Sequence, residues 1–240
     1  MEIISDLACE LLRRSPEENH GVTTYETQNA GIIIQQTTIQ TPLAAQRIGK
    51  PIGTYFNLDT TKGKPRKVVN ALSHALKPLI SDNRKILIIG LGNDKFVADS
   101  LGPCVLEQIK TSEQLLTFEP NVFGVTGINS VDAIKAITQL VHPTVVIVID
   151  SLVSATPSRI GTNYQICTSG ITPGSGIGRD NKTIDEKLLG VPVLAIGVPV
   201  CTIMATQKQI YHVVPKDIDV VIRDAARIIA QSINTLGQQS

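Results

Sequence analysis

The chain has 240 residues, 42% of them hydrophobic, so it can bury a sizeable core, yet aromatics make up only 3% and Trp is absent. Its net charge of +1 gives no reason to expect a nucleic-acid partner. The cysteines at 9, 104, 167 and 201 have no CxxC spacing and the four histidines no HxxxH, which argues against a zinc site and a disulfide framework and for reduced, mostly buried thiols in a cytoplasmic protein. The stretch "MEIISDLACELL" has no basic region and no long apolar run, so no signal peptide is expected, and no run reaches the roughly 18 apolar residues that a membrane span needs.

"SDLACELLRR" reads as a short helix capped by Ser5 or Asp6. Residues 21–39 read as a β-hairpin around Asn29-Ala30-Gly31. A short helix with Pro42 near its start follows, then a strand, "GTYFNLD". Apolar residues at 68, 69, 72, 76 and 79 mark a helix over 64–80. The pattern then alternates. "KILIIG" (85–90) is a strand buried on both faces, 99–110 a helix, 121–125 a strand and 129–141 a helix. "TVVIVID" (144–150), 163–167 and 191–197 are strands, and 215–236 is a closing amphipathic helix. The alternation predicts an α/β fold: a three-layer, mostly parallel sheet with helices on both faces, extended by the N-terminal hairpin, in a single domain over 1–240.

In such sheets ligands bind at the carboxyl ends of the strands. Asp150 is expected to end the strand 144–149, and Asp99 follows the strand 85–90 across a glycine turn, so both acids belong on one edge. Asp99 also fits a helix N-cap, and Asp150 a solvated strand end. Two adjacent carboxylates repel, so one keeps its proton while the other ionises, and the pair can then work as acid and base around a water. Paired acids can also hold a metal, the weaker option here without an evident His partner. Nucleotide readings fail: a GxGxxG over 90–95 is broken by Lys95, and no GxxxxGK[ST] exists. GxSxG fails around Ser175. The loop "TPGSGIG" (172–178) can act as a lid, a backbone-lined groove or a plain surface loop.

Eight stretches in order resemble the germination protease family, the spore endopeptidases that degrade small acid-soluble spore proteins. They are "SDLACE", "IGKPIGTYFNLD", "GLGNDKFVADSLGP", "GVTGINSVD", "VVIVIDSLVS", "SGITPGSGIG", "LGVPVLAIGVP" and "VVPKDIDVVIRDAARIIAQSIN". The resemblance implies an atypical aspartic endopeptidase whose two catalytic acids match Asp99 and Asp150, with a fold similar to hydrogenase maturation proteases. Gly90, Gly92 and Asn93 would shape the turn that positions Asp99. With Thr126, Gly127, Gly174, Ser175 and Gly176 they form the expected substrate-binding set. No cofactor is expected; the partners implied are small acid-soluble spore proteins and further copies of the chain, as tetramers, in the forespore or spore core. In the maturation proteases an acid at the place of Asp99 binds nickel, which leaves a metal-assisted peptidase open; a catalytically dead binding homologue is the third reading.

Departures from the family pattern are specific. Val97-Ala98 stands where Thr-Pro is usual, and Ala155 where a basic residue is frequent. A segment before "HVVPKDID" is missing. Family members are made as precursors with a propeptide ahead of a "TDLA"-like sequence; here "MEII" precedes "SDLA".

Overall fold

Unbroken apolar runs set the centre of the sheet. Ile86–Gly90 (β4) is buried at every position and Val145–Ser154 (β6) at all but one, as strands covered on both faces must be. The structure, a computed structural model, describes residues 5–12, 19–80, 85–120, 127–173, 182–205 and 210–237. Among these, the further strands are β1 (Val22–Asn29), β2 (Ile32–Ile39), β3 (Gly53–Asp59), β5 (Leu115–Phe118), β7 (Asn163–Cys167), β8 (Val193–Ala205) and β9 (Ile210–Val213). They form one sheet in the order β1-β2-β3-β7-β8-β6-β4-β5, with β9 paired to β8.

The pairs β4–β5, β4–β6 and β6–β8 are parallel. The pairs β1–β2, β2–β3, β3–β7, β7–β8 and β8–β9 are antiparallel. The sheet is therefore mixed, where a mostly parallel one was expected. The N-terminal strands do not merely extend it; they lengthen it through β7, which runs opposite to both of its neighbours.

The helices are α1 (Ala8–Leu11), α2 (Pro42–Ile48), α3 (Pro65–Leu76), α4 (Leu101–Leu106), α5 (Ser130–Val141), α6 (Glu186–Leu189) and α7 (Ile218–Gly237). Side chains alternate across a strand. Ile86, Ile88, Ile147, Ile149 and Ile196 therefore share one face and pack with Leu72 of α3, Val105 of α4 and Ile229 of α7. Leu87, Ile89, Val146, Val148 and Val193 take the other face, against Val131 and Ile134 of α5 and Leu189 of α6. Further along that face Tyr55, Cys167 and Ala195 meet α1 and α2 through Ala8, Ala44 and Ile48. Each fully buried aliphatic side chain contributes about 1.5–3 kcal/mol.

Several boundaries differ from expectation, each for a local reason. β6 runs four residues beyond Asp150, so Asp150 is inside a strand and not at its end. It can continue because β8 does too: β8 was expected to stop at 197 and reaches Ala205. Pro199 lies opposite Leu152, where the register shifts before Val153 pairs with Cys201, so the proline's missing N–H falls at an irregularity. The strand beside β4 is Leu115–Phe118, a four-residue segment too short to announce itself; the strand expected at 121–125 lies outside the described residues. The first helix is one turn, and neither Ser5 nor Asp6 caps it.

Candidate active site

Beyond residue 149, β6 loses the neighbour on its β4 side, because β4 ends with Gly90 opposite Ile149. Backbone polar groups in a buried strand must still find partners. The Leu91 N–H reaches the Ile149 carbonyl at 2.8 Å. Thereafter three carboxylates take every second N–H of β6 and its continuation. Ser151 N–H donates to Asp150 Oδ1 (2.9 Å), Val153 N–H to Asp6 Oδ2 (2.9 Å) and Ala155 N–H to Glu10 Oε2 (2.8 Å). The segment 5–10 thus acts as a clasp on the end of β6.

Asp150 is buried, and the strand register explains how a carboxyl fits there. It lies on the same face as Val146 and Val148. Directly opposite on β8 is Gly197, and opposite Gly197 on β7 is Gln165, which pairs in turn with Asn57 of β3. This row across β6, β8, β7 and β3 holds only residues that are polar or lack a side chain. At Gly197 an added Cβ would lie 2.5 Å from Leu152 side-chain atoms, so the Leu152 side chain packs directly over the glycine. Gln165 uses both ends of its amide on the clasp: Oε1 accepts from Ala8 N–H (2.8 Å) and Nε2 donates to the Asp6 carbonyl (3.0 Å).

Asp99 arrives by a different route. It ends a 3-10 turn, Val97–Asp99, that packs against β6 and α7. The expected N-cap is absent: Asp99 lies one residue before the capping position, which Ser100 occupies without a side-chain cap. Instead, the loop 91–99 closes on itself. Asn93 N–H donates to the Asp99 carbonyl (2.8 Å), and Asp99 N–H donates to the Phe96 carbonyl (2.7 Å). Gly92 makes this closure possible; its φ is +113° and an added Cβ would lie 1.9 Å from the Asp99 carbonyl oxygen. Asp99 is exposed.

Burial and then the charge of Asp99 push the Asp150 carboxyl up to about 8 against the opposing hydrogen bond from the Ser151 N–H, with a smaller further push from the charge of Asp6. The two acids expected to meet are therefore electrostatically coupled, with the buried one holding its proton. A cleft of about 120 Å³ opens beside Asp150 and is lined also by Asp6, Lys50, Tyr55, Ser169 and Thr172. Asp99 is not among its lining residues. The Tyr55 hydroxyl donates to the Pro51 carbonyl (2.8 Å) and accepts from Ser169 (2.9 Å), which fixes that wall.

The other expected residues are distributed. Gly90 is buried, and an added Cβ would meet the Gly102 backbone at 2.7 Å, so it serves close packing of α4 on β4 and does not face the cleft. Asn93 braces the turn, its Oδ1 accepting from Lys95 N–H at 3.0 Å. Gly127 is exposed with φ +71° and open space around it. Thr126, Gly174, Ser175 and Gly176 lie outside the described residues. Asp6, Lys50 and Gln165 went unpredicted as site residues. Gln165 left a signal, a polar side chain within a strand buried at all five positions.

Glu10 anchors the far end of the clasp. It accepts from Ser5 and Ser154 hydroxyls and pairs with Arg159 Nε at 3.2 Å. Burial alone would raise its carboxyl, but the hydrogen bonds from Ser5, Thr156, Ala155 and Ser154 outweigh burial and lower it. A lowered folded value means stability that is present above the unfolded value and lost as pH falls through the folded one. Glu10→Ala should therefore cost about 1–3 kcal/mol at pH 7, with the difference from the parent shrinking in acid. Urea melts at pH 7 and pH 3 measure this; an equal loss at both would refute it.

The germination protease profile matches residues 3–210. The chain belongs to the germination protease family. A germination protease of Clostridium tetani (strain Massachusetts / E88) is 32% identical over 234 residues, covering 86% of this chain and 72% of that protein. One from Caldanaerobacter subterraneus subsp. tengcongensis is 33% identical over 221 residues, 82% of this chain and 68% of its own. One from Bacillus cereus (strain G9842) is 32% identical over 227 residues, 81% of this chain and 62% of its own. This germination protease homologue is thus a peptide-bond hydrolase, and its matches span 62–72% of the length of these relatives. Among solved structures, the [NiFe] hydrogenase maturation protease HycI from Thermococcus kodakarensis KOD1 aligns with 68% of this chain and 98% of that one, at 18% identity and a TM-score of 0.41. Among the described residues of this family member, no three His, Cys, Asp or Glu side chains are grouped to hold a metal ion. No described helix is long and apolar enough to cross a membrane.

Proposed function

We propose that this chain degrades small acid-soluble spore proteins during germination and that Asp99 and Asp150 are its catalytic acid pair. The observation that carries the reading is the Asp150 carboxyl, buried beside a cleft and held protonated to about pH 8 by burial and by the nearby charge of Asp99. A protonated acid can donate to the carbonyl oxygen of a peptide, and an ionised one can take a proton from water. Asp150 supplies the first role and the exposed Asp99 the second. Water adds to the carbonyl carbon while its proton passes to Asp99 and the Asp150 proton passes to the carbonyl oxygen. The C–N bond then breaks as the Asp99 proton moves to the leaving nitrogen and Asp150 recovers its own. Gly92 and Asn93 hold the turn that brings Asp99 into place. The reading carries with it a substrate with flexible backbone and a location in the forespore or spore core.

The test is incubation of the purified chain with a small acid-soluble spore protein, with cleavage followed by mass spectrometry. Cleavage that survives a chelator and falls by about 100-fold or more in Asp99→Asn is expected. Activity abolished by chelator and restored by nickel or zinc would replace the acid pair with a metal-assisted mechanism. Tight binding without cleavage at any pH would replace the enzyme with a binding protein.

A further inference from the structure

We infer that Asp6 is a positioning residue for the acid pair: it pins β6 just beyond Asp150 and, paired with Lys50, adds to the charge that Asp150 faces. The inference rests on the proposed acid-pair reading. Its geometry is independent of that reading.

Asp6 takes both backbone groups of Val153, through its own N–H to the Val153 carbonyl (2.9 Å) and its Oδ2 from the Val153 N–H (2.9 Å). Val153 is the first residue after the register shift between β6 and β8. A strand is most free to slip at such an irregularity, and a one-residue slip sends side chains to the opposite face. Asp6 closes that freedom three residues from Asp150. Gln165 fixes Asp6 from below, through the carbonyl of Asp6 and the N–H of Ala8.

The remaining oxygen, Oδ1, is 3.8 Å from Lys50 Nζ, and both residues line the cleft together with Asp150. The side chains of Lys50 and Asp6 are only 16% and 10% exposed, so water screens the pair less than it would at the surface. The titratable and charged groups around Asp150 are Asp99 from the turn, Asp6 from the clasp, Lys50 after α2, Tyr55 of β3 and Cys167 of β7. Burial raises both Tyr55 and Cys167, which stay neutral at physiological pH. The side chains that can be exchanged to alter the charge there are thus Asp99, Asp6 and Lys50.

The experiment is a titration of Asp150 by carbon-13 NMR of chain labelled at aspartate carboxyls, paired with the pH dependence of kcat and KM for a small acid-soluble spore protein. Asp6→Asn keeps an oxygen for the Val153 N–H and removes the charge. It should lower the Asp150 midpoint by about half a unit or more, and the alkaline limb of kcat/KM should follow. Lys50→Met, which leaves the Asp6 charge unbalanced, should raise the midpoint. Asp6→Ala also frees Val153 and should lower kcat about tenfold below Asp6→Asn with KM little changed. An Asp150 midpoint that is the same in the parent, Asp6→Asn and Lys50→Met overturns the inference, whether or not the chain cleaves anything. Undiminished cleavage by Asp150→Asn would overturn the acid pair instead, and the midpoints would still decide whether Asp6 and Lys50 act on Asp150.

Discussion

Asp150→Asn is expected to stabilise the fold at neutral and alkaline pH while it removes cleavage. In the folded chain the carboxyl sits at about 8, against an ordinary 3.8. Below pH 4 both folded and unfolded chains keep the proton, and the acid costs nothing. As the pH rises from 4 to 8, the unfolded chain releases it and the folded chain does not, so the unfolded state gains free energy of solvation that the native state forgoes. The penalty grows to a few kcal/mol by pH 8 and is constant above it, since one unit is worth about 1.4 kcal/mol and relaxation reduces the total. Asparagine has nearly the shape of the protonated acid and keeps an oxygen for the Ser151 N–H, so it escapes the penalty. Melting temperatures at pH 4 and pH 8 should therefore be equal to and several degrees above the parent, respectively. Initial rates on a spore-protein substrate should fall by about 1,000-fold or more, because the amide has no proton to transfer to the carbonyl in the same way. Destabilisation at pH 8, or turnover within tenfold of the parent, would sink the acid assignment. The combination matters, because an ordinary structural acid would lose stability when replaced.

Gly92→Ala should lose activity out of proportion to stability. The backbone there has φ +113°, which a side chain resists, and the added Cβ would come 1.9 Å from the Asp99 carbonyl oxygen. Backbone, not a flexible side chain, is in the way, so the loop 91–99 must open and the Asn93 N–H to Asp99 carbonyl bond is the first to go. Strain of this kind costs about 1–3 kcal/mol, or roughly 3–10 °C in a chain of this size. The displacement of Asp99 costs more: moving a reacting group by about 1 Å can remove 100-fold in rate. Activity measured well below the melting temperature, with folding checked by circular dichroism, separates the two effects. Full activity in a folded Gly92→Ala chain would mean that the turn does not position Asp99.

The parts of this fold legible in the sequence are those decided locally. The runs 86–90 and 145–149 announce a buried sheet by composition alone, and the helical stripes of α3, α5 and α7 by their period. The glycine turn and its acid were legible for the same reason, since φ > 0 at Gly92 needs no partner elsewhere. What was illegible depends on residues distant in sequence. Asp6 looks like a helix cap because caps are local, yet its carboxylate is taken by Val153. β8 looks finished at Gly197, yet it runs on past Pro199 because its register with β6 shifts there, with Val200 as the extra residue in β8. Asp150 looks like a strand end because an acid follows five apolar residues; its burial inside the strand depends on the extension of β6 beside β8, with Gly197 opposite it.

The seam between the two halves of the sheet has a consequence for how the chain is made. β3 joins the rest of the sheet only through β7, with Asp59 opposite Asn163, and β7 reaches the parallel strands only through β8. A ribosome therefore releases β1, β2 and β3 long before the strand that shields the edge of β3 exists. During that interval a length of unpaired backbone is open to any neighbouring strand. The β3 strand carries both polar residues, Thr54, Asn57 and Asp59, and apolar ones, Tyr55, Phe56 and Leu58. The N-terminal third therefore completes its backbone pairing only once β7 has been made.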